Sequence, residues 1–373
     1  MADFPETVYW LALLQESGLR LNLLKPIVLR WCLTENRPLS ELFQLTSLDL
    51  SATFGLPDAD AERLLGVPKK LKIQAALLEK WKKEGIEPII RTDSRYPRRL
   101  AFHLAPAMQP LVLWAQGNTP LLNQPGVTML GQAGSSQPAT EFVDQLIAVL
   151  EEEQVGLVSG YARGLDRTTF EMMLATPHGF TVALLPMGLS AFAKTTNKLL
   201  SAVYGGRTVL VSPFAPDTPF DDKLAEARNL LIDHLALALL ILESDDDAQA
   251  RAVAAINRGL PVFVRQDTAA NRELLGSGAL LLTDPGEVID WVQQALVDDA
   301  IQESEDESEL ESMPAPPLNV APAAPPPAPD DDFSLRTDDV PPLDSDEALN
   351  LLGLGGDVPE VLRRKLEKRK SEE

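Results

Sequence analysis

The residues best placed to do chemistry form one run, Ser159-Gly160-Tyr161-Ala162-Arg163-Gly164-Leu165-Asp166. A short apolar stretch, Val155–Val158, leads into it, and a helical pattern, Thr168–Ala175, leads out. A guanidinium at such a strand-to-helix turn can hold a phosphate through two parallel N–H donors. The helix N-terminus adds partial positive charge. Arg163 is therefore the leading candidate for an anion ligand; its competing role is a salt link to Asp166 that braces the loop. Gly160 and Gly164 either allow positive φ and close backbone approach or simply punctuate a turn.

Other groups could join that site. Gly131, Gly134, Ser135 and Ser136 follow the apolar run 127–130 and could offer amides and hydroxyls to the same crevice. Arg228 and Asn229 stand in a later helical pattern, Arg228 as a second phosphate contact or as a surface arginine. Arg95, Arg98 and Arg99 would extend a basic track, or be solvated loop residues. Asp245–Asp247 reads as a solvated loop or helix cap rather than a metal site, since contiguous carboxylates serve those roles more often. No histidine stands in these loops, no nucleophile–base pair stands out, and no lysine-bearing phosphate loop occurs. The single cysteine, Cys32, and the scattered His103, His178 and His234 have no zinc-ligand spacing. Neither catalysis nor a cofactor or metal is expected.

The elements that must position these residues alternate. From Gly126 the pattern runs strand Val127–Leu130, helix Pro138–Glu153, strand Gly156–Ser159, helix Thr168–Ala175, strand Thr181–Leu185 and a helix near Asn197–Tyr204. Strand Thr208–Val211, helix Asp222–His234, strand Ala238–Leu242, helix Ala248–Asn257, strand Val262–Val264, a helix near Arg272, strand Ala279–Leu282 and helix Pro285–Leu296 follow. Such alternation predicts an α/β fold, a Rossmann-like doubly wound, mostly parallel sheet with its ligand crevice at the strands' carboxyl ends. Helices are predicted over 6–50, with Pro26 near the start of the second, and then over Asp60–Leu65 and Lys69–Glu84. Short strands are predicted at Ile86–Ile90 and Leu111–Trp114.

Charge is unevenly spread. The whole chain of 373 residues carries −22. Residues 298–373 hold 21 Asp/Glu against 7 Lys/Arg, whereas residues 61–100 hold 11 Lys/Arg against 5 Asp/Glu. A basic neck thus sits between acidic regions, and a local patch can bind phosphate whatever the global charge. The helical block is either a bundle with a solvated basic face or a module that touches DNA backbone. The first residues are acidic, unlike a signal peptide, and the longest apolar run, Leu235–Leu242, is too short to span a bilayer. A soluble cytoplasmic protein is expected.

Five motifs in order resemble the DNA-processing protein A (DprA/Smf) family, over about residues 8–297 by element order. The family's Ser-Gly-x-Ala-Arg-Gly-x-Asp loop is matched by Ser159, Gly160, Ala162, Arg163, Gly164 and Asp166, and its Tyr-Pro-x-x-Leu by Tyr96, Pro97 and Leu100. Gly188, Leu189 and Asn197, then Arg228-Asn229, then Asn271, Leu275, Gly278 and Ala279 match the rest. Three positions depart. Gly131-Gln132-Ala133 lacks the arginine of Gly-Ser-Arg, Leu230 replaces the second cation of Arg-Asn-Arg, and Ser244-Asp245-Asp246-Asp247 replaces a neutral loop. No C-terminal winged helix is recognisable.

The resemblance implies a homodimer that binds single-stranded DNA and helps load the RecA recombinase in transformation or recombination. Ser159, Gly160, Arg163, Gly164, Asp166, Gly131, Ser135, Arg228 and Asn229 would form its DNA or phosphate site. A sensor of a nucleotide-derived ligand and a degenerate scaffold whose acidic tail recruits a partner are the alternatives. The expected organisation is a helical (SAM/helix-hairpin-like) domain over 1–84, a connecting segment with short strands over 85–125, the Rossmann-like domain over 126–297, a disordered acidic, Pro-rich linker over 298–343 and a short helical tail over 344–373. The tail's Val358, Val361, Leu362 and Leu366 lie opposite six Lys/Arg.

Overall fold

A computed structural model describes residues 4–131, 137–195, 198–242, 244, 246–265 and 269–312. The chain up to Lys83 is helical. It comprises α1 (Glu6–Glu16), α2 (Leu21–Leu29) running into a π-turn at Arg30–Thr34, α3 (Leu39–Leu42), α4 (Ser47–Phe54), α5 (Asp58–Gly66) and, after a 3-10 turn at Val67–Lys70, α6 (Leu71–Lys83). Local chemistry bounds these elements. The Asp49 amide donates to Thr46 Oγ1 at 3.2 Å and the Thr46 amide to Asp49 Oδ2 at 2.9 Å, a reciprocal cap that starts α4. Gly55, at φ 68°, closes it in the left-handed conformation. One expectation fails here: α2 begins five residues before Pro26. The apolar contacts of Leu21, Leu24, Ile27 and Val28, all buried, hold that helix despite the donor that proline removes.

Strands β1 (Glu87–Ile90), β2 (Val112–Gly117), β3 (Gly126–Leu130), β4 (Gly156–Ser159), β5 (Thr181–Leu184), β6 (Thr208–Ser212), β7 (Leu239–Ile241), β8 (Val262–Val264) and β9 (Leu280–Leu281) build one sheet. Their spatial order is β1-β2-β6-β5-β4-β3-β7-β8-β9. The pairs from β6 through β9 are parallel; β1 with β2 and β2 with β6 are antiparallel. The chain reverses its direction of travel across the sheet at β3, between β4 and β7. That topological switch is where a doubly wound sheet opens a crevice at its carboxyl edge.

The connecting helices are α7 (Arg98–His103), α8 (Gln137–Glu152), α9 (Leu165–Ala175), α10 (Leu189–Ala193), α11 (Leu200–Tyr204), α12 (Asp222–Leu235), α13 (Asp246–Asn257), α14 (Ala269–Gly276) and α15 (Pro285–Ser312). Side-chain alternation divides the core. Val182, Leu184, Val209 and Val211 pack with Leu231 and Ile232 of α12, while Ala183 and Leu210 face the opposite way. That second face carries the N-terminal helices. One apolar cluster runs from Trp10, Leu24 and Leu64 through Trp114 and Leu210 to Tyr161 and Phe192. The helical block is thus fastened to the sheet through a shared core that reaches the loop after β4.

Two further differences from the predicted elements have simple causes. Helix α10 interrupts the long β5–β6 connection because Leu189 and Phe192 bury one side of it. Helix α15 continues through Ser312, past the expected linker boundary at 298. The Glu-rich stretch that reads as unable to form a core still has good helix propensity, and Asp299 is tied back to Arg99 and His103. The Pro-rich stretch and the expected tail, in 313–373, lie outside the described residues.

Candidate nucleic-acid interface

Strand β4 ends at Ser159, and α9 begins at Leu165. Between them the backbone makes two turns that ordinary side chains resist. Tyr161 sits at φ 51°, and Gly164, the residue before the helix, at φ 100° and ψ −149°. The second conformation is essentially reserved for glycine. The Tyr161 strain is held by packing. Its ring is buried against Phe170 (5.1 Å between centroids) and Phe192 (6.2 Å), and its hydroxyl donates to Glu171 Oε1 at 3.1 Å. Arg167 lies over the same ring at 4.4 Å and donates from Nη2 to the Tyr161 carbonyl at 3.1 Å. Burial, and then the Glu171 carboxylate, push the Tyr161 phenol upward, so it stays neutral.

Asp166 does not pair with Arg163. Its carboxylate accepts from Ser159 Oγ at 2.6 Å and from the Ala162 amide at 2.8 Å, and Ser159 Oγ in turn accepts from the Tyr161 amide at 2.8 Å. The brace expected of Arg163 is therefore supplied by Ser159. Arg163 is left exposed at the start of α9, and among the described residues no hydrogen bond or ion pair engages it. A rigid loop that presents one uncommitted guanidinium beside a helix N-terminus can receive a phosphate oxygen without rearranging.

Arg228 corrects one of its expected roles. It is not a surface residue but is 4% exposed, donating from Nη1 to the Gly160 and Leu184 carbonyls, each at 2.7 Å. Desolvation lowers its guanidinium to about 10, with Asp166 and Asp233 opposing the fall, so it is charged at neutral pH. Gly160 is required by this contact: a Cβ there would run into the guanidinium. Arg228 thus clamps the ends of β4 and β5 together, and Asn229 beside it is half-buried.

The basic track expected from Arg95 and Arg99 is also corrected. Arg95 donates to both Asp93 oxygens (Nε to Oδ1 at 3.0 Å, Nη2 to Oδ2 at 2.6 Å) and from Nη1 to Glu87 at 2.8 Å. Arg99 is paired with Asp299 and reaches the His234 carbonyl at 3.2 Å. Tyr96 of the same segment is core: its buried hydroxyl donates to the Pro110 carbonyl at 2.9 Å.

Across the switch, the loop after β7 repeats the device used after β4. Ser244 donates from its amide (3.3 Å) and its hydroxyl (2.7 Å) to Asn271 Oδ1, and Asn271 Nδ2 donates to the Leu242 carbonyl at 2.8 Å. Each loop is pinned by an Asp or Asn from a later helix. Asp246 and Asp247 open α13, where the helix dipole favours them, in keeping with the cap role. Gly131 directly follows β3 and is half-buried. Ser135, with Gln132, Ala133, Gly134 and Ser136, and also Asn197 and Asp245, fall outside the described residues. Arg265, half-buried at the end of β8 with its guanidinium 4.6 Å from the Phe142 ring centroid, was not marked by any sequence signal. Among the described residues there is no cluster of metal ligands, and no helix long and apolar enough to cross a membrane.

The mostly parallel sheet, its switch at β3 and the strand-to-helix loop beside it define a Rossmann-like, doubly wound fold. Within that class the family is specific. The sequence profile described as DNA recombination-mediator protein A matches residues 87–294, and the chain belongs to that family. It is 31% identical over 135 residues to DNA processing protein DprA of Streptococcus pneumoniae, covering 36% of this chain and 47% of that protein. It is 24% identical over 253 residues to protein Smf of Synechocystis, covering 67% of this chain and 61% of that protein. The chain therefore spans about half to three-fifths of these curated relatives. The fold is similar to the X-ray structure of DprA from Streptococcus pneumoniae, with TM-score 0.58 at 23% identity, covering 76% of this chain and 97% of the other.

Proposed function

We propose that this protein binds single-stranded DNA through the loop Ser159–Asp166, with Arg163 gripping backbone phosphates. The observation that carries this reading is the contrast within one loop: the polar side chains of Ser159, Tyr161 and Asp166 are engaged inside the protein, whereas that of Arg163 is exposed and has no partner among the described residues. Gly160, Gly164, Ser159, Asp166 and Arg228 hold the loop in shape, and Gly131 and Asn229 are the further members proposed for the site. Asp246 and Asp247, in the first turn of α13, would repel a polyanion, which favours the Arg163 side of the crevice for the strand.

Backbone gripping of this kind reads little base sequence and weakens steeply with salt. Membership of the family supports the wider role, in which a homodimer in the cytoplasm hands single strands to RecA in transformation or recombination, without catalysis of its own. The deciding experiment is an anisotropy titration of a labelled oligothymidylate at low salt. Binding that falls as salt rises is expected. No binding at low salt overturns the reading, and a free nucleotide that raises the melting temperature instead would replace it with a sensor.

A further inference from the structure

The basic neck is not absorbed by the site described above. On α6 and the turn before it, Lys69, Lys72, Ile73, Ala76, Lys80 and Lys83 recur at three- and four-residue spacing, which sets them on one helical face. All six are exposed, Ile73 at 52%, while Leu71, Gln74, Leu78 and Trp81 are buried on the other side. Lys80 pairs with Asp217 at 3.3 Å, and off this face Lys82 pairs with Glu79 and Lys70 with Glu16. Lys69, Lys72 and Lys83 have no ion-pair or hydrogen-bond partner among the described residues. A solvated face balanced by acids would not leave three lysines of one stripe unanswered.

Helix α10 connects this face to the loop after β4. Tyr161 of that loop packs on Phe192 of α10. Two residues on, the exposed Lys194 lines a cleft of about 440 Å³ together with Lys80, Glu84, Ser190 and Asp217. Glu84 is engaged by the Ser190 hydroxyl at 2.5 Å and Asp217 by Lys80, which moderates the two carboxylates of the cleft. Lys80 of the α6 face and Lys194 thus share one cleft, and Lys194 directly follows α10, which packs against the loop that carries Arg163.

We propose that the lysine face of α6 is a second phosphate-backbone contact, over which a single strand leaving the Arg163 loop continues. The proposal rests on the DNA-binding reading above and extends it to the N-terminal helices. Side chains that meet only phosphates give affinity and salt dependence but no base preference. The occupant is a nucleic-acid strand rather than a basic or apolar peptide, because the face offers lysines around one isolated apolar side chain.

The test compares the full chain with Lys69→Gln/Lys72→Gln/Lys83→Gln, using an oligothymidylate of about eight nucleotides, a length within reach of one binding groove, and one several times longer. The triple variant is expected to bind the long strand about tenfold more weakly, with its log–log salt slope smaller by about 2, as three lost phosphate contacts require. It is expected to hold the short strand as the wild type does, and Lys82→Gln is expected to change neither. A triple variant that matches the wild type on the long strand overturns the proposal, as does one that weakens both strands equally. Wild-type protein that holds neither strand sinks the underlying DNA-binding reading itself, a distinguishable failure.

Discussion

The segment Arg91–Arg99 and the loop Ser159–Asp166 both set arginines beside a buried tyrosine, yet they use the cation in opposite ways. In the first, Arg95 is enclosed by Asp93 and Glu87, Arg99 is tied to Asp299, and Arg91 lies over Tyr96 at 4.8 Å while donating to Gln109 at 2.7 Å. In the second, the acid that could have neutralised Arg163 is occupied by Ser159 and the Ala162 amide. The difference teaches that available cations, not arginines counted along a chain, define a phosphate site. Arg228 marks the extreme, a buried charge that donates from Nη1 to two carbonyls.

Substitutions should divide along that line, into those that cost stability and those that cost binding. The largest stability effect is expected for Arg228→Ala, which leaves the buried Gly160 and Leu184 carbonyls without donors, at a cost of about 3 kcal/mol or more. Urea denaturation checks it, and a midpoint equal to wild type would break the clamp role. Gly160→Ala should cost about 2 kcal/mol, since its methyl meets a guanidinium that cannot retreat. Combined with Arg228→Ala it should cost less than the sum, because the truncated side chain makes room; strict additivity would show that the two residues do not share one contact.

Another committed cation gives a pH signature. Lys25 is 3% exposed, donates to the Ala107 carbonyl at 2.6 Å, and is lowered by burial to about 8. The unfolded chain keeps that proton up to the ordinary lysine range, near 10.5, so between these values it binds more protons than the folded one. Stability should therefore rise with pH from about 8 toward 10.5, and the penalty is fully present below about 8. Lys25→Met should flatten that rise in urea midpoints measured across the range. The smallest effect is expected for Arg95→Ala, within about 0.5 kcal/mol, because its ion pairs are partly exposed.

Much of this was legible in the residues. The alternation of apolar runs and helical patterns located the parallel strands to within a residue or two, and the order of the motifs marked the loop at 159–166. The roles inside it were not legible. Arg228 reads as one more cation because nothing local reveals that Gly160, 68 residues earlier, leaves the space it fills. Arg163 and Asp166 are near enough in sequence to pair, and only the backbone turn at Tyr161 and Gly164 shows that Asp166 points inward. Asp93 stands two residues from Arg95 and could have warned of neutralisation. Asp299, 200 residues beyond Arg99, could not, because it arrives on a helix longer than its composition foretold.

The central claim is that, of the two arginine-bearing regions and among the described residues, the loop after β4 is the one with a cation free for phosphate. Its most direct test is the salt dependence of oligothymidylate binding by Arg163→Ala and Arg95→Ala side by side. Arg163→Ala should reduce the log–log slope by about 0.7, one single-strand phosphate contact, and weaken binding without lowering the melting temperature. Arg95→Ala should leave slope and affinity at wild-type values. A slope lost with Arg95→Ala and kept with Arg163→Ala would contradict the claim outright.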